Sequence, residues 1–427
     1  MRRVLVSSVA RRWYGTSKHE WESSEMPVYE YGWSARRRKT SVYGWGLAAA
    51  GELGFRWNKS SGGLRARLLL PSRLTDVDKH QVTDMACGRG FSVFVSRSNR
   101  RVFGCGLNTD CQLGLQNKGH PSWVTSPTTL PLTFSGRTRP TLAACGRQHT
   151  LVATDKPEVF ALGNNSHGQC GRPIIEDEEY GKAGVVHRIS DFDGRVVQVV
   201  AGFDHSLILT DSGLVYAFGL GTDGQLGSGS YSSNWKPTPV QGDVTGERIV
   251  QIASSADCVL AISNKGDVFG WGNNEYKQLQ TATTDIQLSV ARRLNLGIGK
   301  VRYVACGGSA CAAVNDSGQV YVWGYGIIGQ GPEVNARAKP SLLPPPLFGA
   351  TEFEPDLRVR SVHAGIMHLA AINTRGNLFM WGVNRHGLLG LGHDNDQYFP
   401  LKISLSCEAI KVSCGPDHTL ALCKAWA

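Results

Sequence analysis

Two short motifs alternate along this chain, and their alternation constrains the fold more than any other feature. The first resembles Val-Tyr-x-Trp-Gly and ends at Gly46, Gly106, Gly163, Gly219, Gly272, Gly324 and Gly382. Successive copies are therefore 60, 57, 56, 53, 52 and 58 residues apart. The second resembles Ala-Cys-Gly-x-x-His-Thr-Leu and also occurs seven times, between copies of the first. A period of this length is typical of a repeat architecture.

Each repeat unit reads as a group of β-strands. Short alternating runs such as LVYAFG are separated by turn residues such as Asp-Ser-Gly, which predicts strands joined by hairpins. The composition agrees, because 51 glycines and 19% charged residues disfavour helical bundles. A unit of this length supplies about four strands, and stacked units bury faces that one sheet leaves open. The sequence predicts an all-β, seven-bladed β-propeller with four-stranded blades over residues 42–427.

The order of the motifs predicts how the ring closes. The first copy, SVYGWG, is of the Trp-Gly type, and the last, at 413–423, is of the Cys-Gly-His type. One blade is therefore expected to combine strands from both termini, which hides edges that otherwise aggregate.

The first 41 residues differ from the rest in composition and are interpreted as a targeting segment. Residues 1–14 contain four arginines, two serines and no acid, and Leu5, Val9 and Trp13 share one helical face. This pattern is typical of a mitochondrial presequence. The prediction is a presequence and basic linker over 1–41, with the protein in the mitochondrial matrix or associated with the inner membrane. A disordered basic tail, or a nuclear signal at 36–39, is the alternative.

The histidines and cysteines are interpreted as structural. His149, His205, His368 and His418 occupy one repeat position, and equivalent positions in a ring are too far apart to share a metal. Each imidazole is instead expected to bond the backbone of a neighbouring strand or blade. The eleven cysteines form no CxxC pair and are interpreted as reduced, small apolar residues. No metal site, no cofactor and no enzymatic motif is predicted.

The paired motifs resemble the repeats of the regulator of chromosome condensation family, whose members are seven-bladed propellers. The resemblance covers residues 42–423, and segments such as VFGWGNNEYKQLQ and DNDQYFP are similar to its mitochondrial branch. It implies one of two roles. The first is a scaffold that binds proteins and rRNA of the large mitochondrial ribosomal subunit during assembly. The second is guanine-nucleotide exchange on the dynamin-related GTPase of inner-membrane fusion, and in both roles membrane association would come through partners.

The resemblance also suggests residues that contact a GTPase. The nuclear member promotes nucleotide release from Ran with one propeller face and a wedge insertion. Residues 171–184 correspond to that insertion, and Asp204 matches an aspartate that the nuclear protein uses. The acidic run of the insertion consists of Glu176, Asp177, Glu178 and Glu179. Arg147 and Ser309 replace an aspartate and a histidine of the Ran-binding pattern, which argues against Ran and chromatin as partners.

Two further groups of residues are candidates for partner binding. Loop residues with an aromatic or proline-stiffened character are expected to dock proteins. They are Trp123, Pro344, Pro345, Pro346, Leu347 and Phe348. Clustered arginines are candidates for contact with RNA phosphate. They are Arg97, Arg100, Arg101, Arg292 and Arg293.

Overall fold

The computed structural model describes residues 40–54, 67–116 and 122–424. The predicted presequence and nearly all of the basic linker lie outside these residues. Within the described residues, 28 strands form seven four-stranded antiparallel sheets, which confirms the predicted propeller. No helix among them is long and apolar enough to cross a membrane.

The first fourteen strands build the blades of the N-terminal half. They are β1 Thr40–Leu47, β2 Arg67–Arg73, β3 Asp84–Cys87, β4 Phe91–Ser96, β5 Arg101–Leu107, β6 Trp123–Thr129, β7 Pro140–Cys145, β8 His149–Thr154, β9 Val159–Gly163, β10 Val186–Ile189, β11 Val196–Ala201, β12 His205–Thr210, β13 Val215–Gly219 and β14 Asn234–Pro239. Two single-turn helices interrupt this half, α1 Thr75–Asp78 and α2 Tyr180–Ala183.

The other fourteen strands continue the same pattern to the end of the ring. They are β15 Ile249–Ala253, β16 Cys258–Ser263, β17 Val268–Asn273, β18 Gln287–Leu294, β19 Val301–Cys306, β20 Ala310–Asn315, β21 Val320–Tyr325, β22 Ala336–Leu342, β23 Val359–Ala364, β24 His368–Asn373, β25 Leu378–Gly382, β26 Gln397–Lys402, β27 Glu408–Cys414 and β28 His418–Lys424. Short 3₁₀ turns lie at Pro345–Phe348 and Arg385–Gly387.

The closing blade combines both ends of the described chain, as predicted. Its strand order is β2-β1-β28-β27, and we number it blade 1; blades 2 to 7 follow in chain order. β1 and β28 are antiparallel, with Thr40 opposite Lys424 and Gly46 opposite His418. β1 begins at Thr40, so the predicted boundary at residue 42 falls inside a strand.

The innermost strand of each blade is β27 in blade 1 and the first strand in chain order in blades 2 to 7. Each innermost strand contacts that of the next blade, so these seven strands close a ring around a central channel. The channel has a cavity of about 570 Å³. Side chains pair across blades there. The Gln198 amide bonds both backbone groups of Ile252, and the Gln251 amide bonds those of Val304 in the same way. These contacts fix the spacing of neighbouring blades.

Three of the four tryptophans of the first motif bond the preceding blade. Trp271 Nε1 donates to the carbonyl of Gln225 at 3.0 Å, and Trp323 Nε1 donates to that of Gln278 at 2.8 Å. In the closing blade, Trp45 Nε1 donates to Leu388 O at 2.7 Å. Each bond joins a third strand to the turn that follows the third strand of the preceding blade. The motifs therefore specify the interface between blades as well as the blade itself.

The glycine that ends the third strand is required by close approach as well as by its backbone angle. Gly219 has φ +110°, and a Cβ there would lie 2.6 Å from Asp204 O and 2.8 Å from His205 Cα. Gly246 has φ +84° with nothing within 4 Å. We expect Gly219→Ala to lower the free energy of unfolding by about 2–5 kcal/mol and Gly246→Ala by about 1–2 kcal/mol. Chemical denaturation measures both, and equal losses would contradict a packing role for Gly219.

Candidate partner-binding face

The antiparallel strand order gives the propeller two distinct ends. At one end, first strands turn into second strands and third strands connect to fourth strands. We call it the Asp204 face, after the turn between β11 and β12. The opposite end carries the hairpins between second and third strands and the links to the next blade. We call it the Arg100 face, after the hairpin between β4 and β5. The two faces cannot contact one compact partner together.

Asp204 is held by an arginine from the neighbouring blade. Its side chain is 7% exposed, and Arg147 donates to both carboxylate oxygens, through Nε at 3.3 Å and through Nη2. The backbone N–H of Arg147 also donates to Phe203 O at 3.1 Å. Such two-point pairs fix geometry as well as charge. Arg147, which departs from the Ran-binding pattern, is thus the residue that orients Asp204.

Other acids lie near this pair on the same face. Asp257 sits in the equivalent turn of the next blade, and burial followed by repulsion from Asp223 raises its pKa to about 6. Gln225 Nε2 donates to Asp257 at 3.2 Å, and Gln287 Nε2 donates to Asp223 at 2.6 Å. Asp204 adds to the negative environment of Asp257. The face therefore carries several carboxylates in a region that one arginine partly neutralises.

The predicted insertion is anchored at its base. It belongs to the longest connection between strands, residues 164–185. Arg172 bonds Glu178 at 2.5 Å, and the Glu178 side chain is only 9% exposed. Cys111 Sγ of the adjacent blade donates to Gly181 O at 3.2 Å. Glu178 therefore differs from the other three residues of the acidic run, because its side chain folds back onto Arg172.

The tip of the insertion exposes apolar side chains next to acids. Ile174 is 48% exposed and Ile175 57%, and Glu176 and Asp177 follow as exposed residues. Glu179 is also exposed and pairs with Lys182. Exposed large apolar residues in a short stretch mark a binding site more often than singly scattered ones. The structure places this tip on the Asp204 face.

Trp123 lies on the same face, in the blade that supports the insertion. It is 48% exposed and begins β6, opposite Leu107 of β5. The connection that precedes it contains Cys111, which holds the insertion, and Gln116, whose Cγ lies 2.7 Å from the Cβ position of Gly184. The predicted docking residue and the predicted wedge are thus neighbours along one rim.

The candidate RNA-contact arginines lie on the Arg100 face, in two blades that are not adjacent. Arg100 donates to the carbonyls of Thr138 at 3.1 Å and Gly136 at 2.5 Å. Arg293 pairs with Asp267 at 2.5 Å, and Arg292 with Asp243 at 3.4 Å. The side chains of Arg100, Arg292 and Arg293 therefore make intramolecular contacts. Arg97 and Arg101 lie at the hairpin between β4 and β5. The five arginines form no continuous basic surface across the described residues.

The proline-rich segment 344–348, which was predicted to dock proteins, buries its aromatic residue. Phe348 is 4% exposed and packs edge-on against Phe379 and Trp381, with ring centroids 5.7 and 6.1 Å apart. Leu347 is partly buried, while Pro344, Pro345 and Pro346 are exposed. The expectation of an exposed aromatic is wrong, because the 3₁₀ turn directs Phe348 into the core of blade 7. The segment also lies on the Arg100 face, opposite Trp123.

The four repeat histidines are buried, and three of them join blades through hydroxyl groups. His149 Nε2 lies 3.0 Å from Ser206 Oγ, His418 Nε2 lies 2.7 Å from Ser92 Oγ, and His205 Nε2 lies 3.4 Å from Ser254 Oγ. The expectation of backbone partners is wrong for these three. Burial lowers the pKa of His149 and His418 to about 3, and that of His205 and His368 to about 4.

All eleven cysteines are free thiols, and nine are buried. Across residues 40–54, 67–116 and 122–424, one group of metal-ligating side chains converges, namely Cys258, Cys306 and Cys311. Sequence reasoning missed both this cluster and the Arg147–Asp204 pair. The cluster joins two blades, and no short-range spacing signals it.

Comparison with known proteins places these features in a family. The model of the regulator of chromosome condensation (RCC1) repeat matches residues 41–95, 101–153, 212–262, 265–314 and 375–422, and a second model of the same repeat matches 196–225 and 249–278. The chain is 44% identical to the RCC1-like G exchanging factor-like protein of Mus musculus, covering 96% of this chain and 94% of the relative. It is 43% identical to the Homo sapiens protein of that name, covering 94% and 90%.

A solved structure agrees in shape. The crystal structure of human WBSCR16 superposes with a TM-score of 0.86 at 43% identity, over 90% of this chain and all of that one. Repeat matches, full-length relatives and superposition all span the propeller. The chain belongs to the regulator of chromosome condensation (RCC1) repeat family.

Proposed function

We propose that the Asp204 face binds a GTP-binding protein and promotes release of its nucleotide, and that the partner is a mitochondrial dynamin-related GTPase. One observation carries the proposal: the anchored insertion exposes Ile174, Ile175, Glu176 and Asp177 at the same end of the propeller as the carboxylates of the Asp204 face. The name of the mouse and human relatives, which refers to G exchange, supports it.

The chemistry follows from how GTPases hold nucleotides. Their phosphates are bound by backbone N–H groups, a lysine and Mg²⁺. Carboxylates pressed against such a site compete with the phosphates for the lysine and the cation. The two isoleucines supply apolar burial for docking, at roughly 25 cal/mol per Å². The Arg147–Asp204 pair holds the docking surface in one geometry.

Thermodynamic linkage predicts how the affinity for the GTPase depends on its bound nucleotide. A protein that weakens nucleotide binding must bind the nucleotide-free GTPase more tightly by the same factor. Arg147 and Ser309 depart from the Ran-binding pattern, so Ran is not the proposed partner.

The insertion tip is the place to test binding. We expect the quadruple variant Ile174→Ser, Ile175→Ser, Glu176→Gln, Asp177→Asn to lose about 10- to 100-fold affinity for the nucleotide-free GTPase. Asn is chosen at 177 because Asp177 has φ +59°, which Asn tolerates. These side chains are exposed, so the melting temperature should not change.

The matched control alters exposed acids on the other face. Glu352→Gln with Asp356→Asn changes residues on the connection between β22 and β23. Calorimetry with GDP-loaded and nucleotide-free GTPase measures all three proteins. Equal affinity of wild type for both GTPase forms contradicts exchange activity, and equal losses in both variants contradict the assignment to the Asp204 face.

A scaffold role in assembly of the large mitochondrial ribosomal subunit is a second proposal. The exposed Trp123 beside the insertion favours it, because aromatic residues anchor protein interfaces. Trp123→Ala should then reduce recovery of large-subunit proteins and rRNA from mitochondria, while Phe353→Ala, at an exposed aromatic residue on the Arg100 face, should not. Purification with and without RNase separates protein contacts from RNA contacts.

Mitochondrial location is part of the proposal and rests on residues 1–14, which lie outside the described structure. We expect import to remove at least these residues, because the segment is rich in arginine and lacks acids. N-terminal sequencing of protein isolated from mitochondria measures this. A mature protein that retains Arg2 and Arg3, or a nuclear location, contradicts it.

A further inference from the structure

Three thiols meet at the interface between blades 5 and 6. Cys258 begins β16, Cys306 ends β19, and Cys311 is the second residue of β20. Their sulfur atoms all lie within 4.8 Å of one another, and the Cys306 and Cys311 sulfurs are 3.6 Å apart. Cys306 Sγ also donates to Cys258 O at 3.2 Å.

The repeat reveals what these sulfurs replace. Cys258 stands at the position of His149 and His418, and Cys311 stands at the position of Ser206 and Ser92. At two other interfaces, between blades 3 and 4 and between blades 1 and 2, that histidine and that serine bond each other. Here sulfur occupies both positions, and Cys306 adds a third. A polar contact between blades has become a cluster of soft ligands.

The spacing of the sulfurs suits one ion. Metal–sulfur bonds of about 2.3 Å around a single ion place three sulfurs roughly 3.8–4.0 Å apart. The Cys306–Cys311 sulfur separation of 3.6 Å is close to this value, and the other two separations do not exceed 4.8 Å.

The surroundings select the kind of ion. All three cysteines are buried in an apolar cluster that contains Leu260 and Trp323. The group has no carboxylate or imidazole among its members in the part of the chain that the structure describes. Burial also raises the pKa of the Cys311 thiol well above its usual range, so an ion must displace protons from sulfur. Thiolate ligands without oxygen or nitrogen favour the softest ions.

We propose that Cys258, Cys306 and Cys311 form a three-coordinate site for Cu(I). Each bond formed to a thiolate releases one proton to solvent, and no electron transfer is required. The bound ion joins β16 of blade 5 to β19 and β20 of blade 6. It takes the place of the histidine–serine contact that links blades 3 and 4 and blades 1 and 2.

The test is a competition titration of the reduced, purified full-length protein with Cu(I) and a chromophoric Cu(I) chelator under anaerobic conditions. We expect wild type to withdraw one Cu(I) per chain. Cys258→Ala and Cys311→Ser should weaken binding by more than about 100-fold, since loss of even an outer-sphere group costs 10- to 100-fold. The repeat itself uses Ala310 and Ser206 at these positions, so both variants should fold.

Cys170→Ala is the matched control, because Cys170 is also buried but lies in blade 3. Melting temperatures measured without metal report folding, and a copper-dependent rise should occur in wild type and the control alone. The proposal is overturned if wild type withdraws no Cu(I), or if all variants bind it equally. It is also overturned if freshly alkylated protein contains a Cys306–Cys311 disulfide, because two of the three ligands are then consumed.

Discussion

A chain that lacks residues 413–427 should not fold into a stable propeller. The deletion removes β28 and the end of β27, and β1 then loses its pairing from Thr40 to Gly46. It also removes Leu420 and Leu422 from the core and His418 from Ser92. Buried leucines contribute about 1.5–3 kcal/mol each, and whole domains are stable by only about 5–15 kcal/mol. We expect insoluble protein, or no cooperative thermal transition.

A circular permutant provides the control. Thr40 and Lys424 are directly paired, so a short Gly-Ser turn can join them as a hairpin like those of the other blades. New termini opened at Asn264–Lys265, in the hairpin between β16 and β17, leave every strand present. The permutant should melt within a few degrees of wild type. A truncated protein with an unchanged melting temperature would show that closure does not depend on β28.

Acidification should produce the second large loss of stability. The pKa values of the four repeat histidines are lowered to about 3–4, and burial also lowers that of His363 to about 3. Below the ordinary histidine pKa of about 6.5, these histidines bind protons in the unfolded chain but stay neutral in the folded chain. Stability is therefore full above about pH 6.5 and falls as the pH decreases toward 4.

Buried carboxyl groups oppose this effect in part. Burial raises the pKa of Glu52 to about 7 and that of Asp257 to about 6. As the pH falls, these groups therefore bind protons at a higher pH in the folded chain than in the unfolded chain. Five histidines outnumber them, and we expect a net loss of about 2–4 kcal/mol per pH unit between pH 6 and 5. Denaturant titrations across this range measure it. His149→Gln should reduce the slope by about one proton. A stability that is flat from pH 7 to 5 would contradict buried, neutral histidines.

The fold was predictable because the motifs that specify it recur at a regular spacing along the sequence. Seven copies of two motifs specify both the blades and their interfaces, and Trp45, Trp271 and Trp323 show the second role directly. The order of the motifs at the two ends was sufficient to predict the closing blade. Even the burial of the repeat histidines follows from the ring geometry, although their hydroxyl partners do not.

The site was less predictable because its contacts depend on single residues in different blades. Arg147 looks like a departure from a family pattern until the structure shows that it binds Asp204. Glu178 and Phe348 carry no local signal that distinguishes them from exposed neighbours, yet tertiary contacts bury both. Cys258 and Cys306 are far apart in sequence, so their convergence is visible only in three dimensions.

The rate of nucleotide release from a mitochondrial dynamin-related GTPase tests the central claim most directly. The GTPase is loaded with a fluorescent GDP analogue, and release is followed with excess unlabelled GTP in the presence of wild type, the insertion-tip variant or the Glu352→Gln, Asp356→Asn control. Weakened affinity appears mainly in dissociation, so we predict that wild type and the control accelerate release about 5- to 150-fold. The insertion-tip variant should leave the rate near its basal value. Release that wild type does not accelerate, or that the insertion-tip variant accelerates fully, would contradict the account.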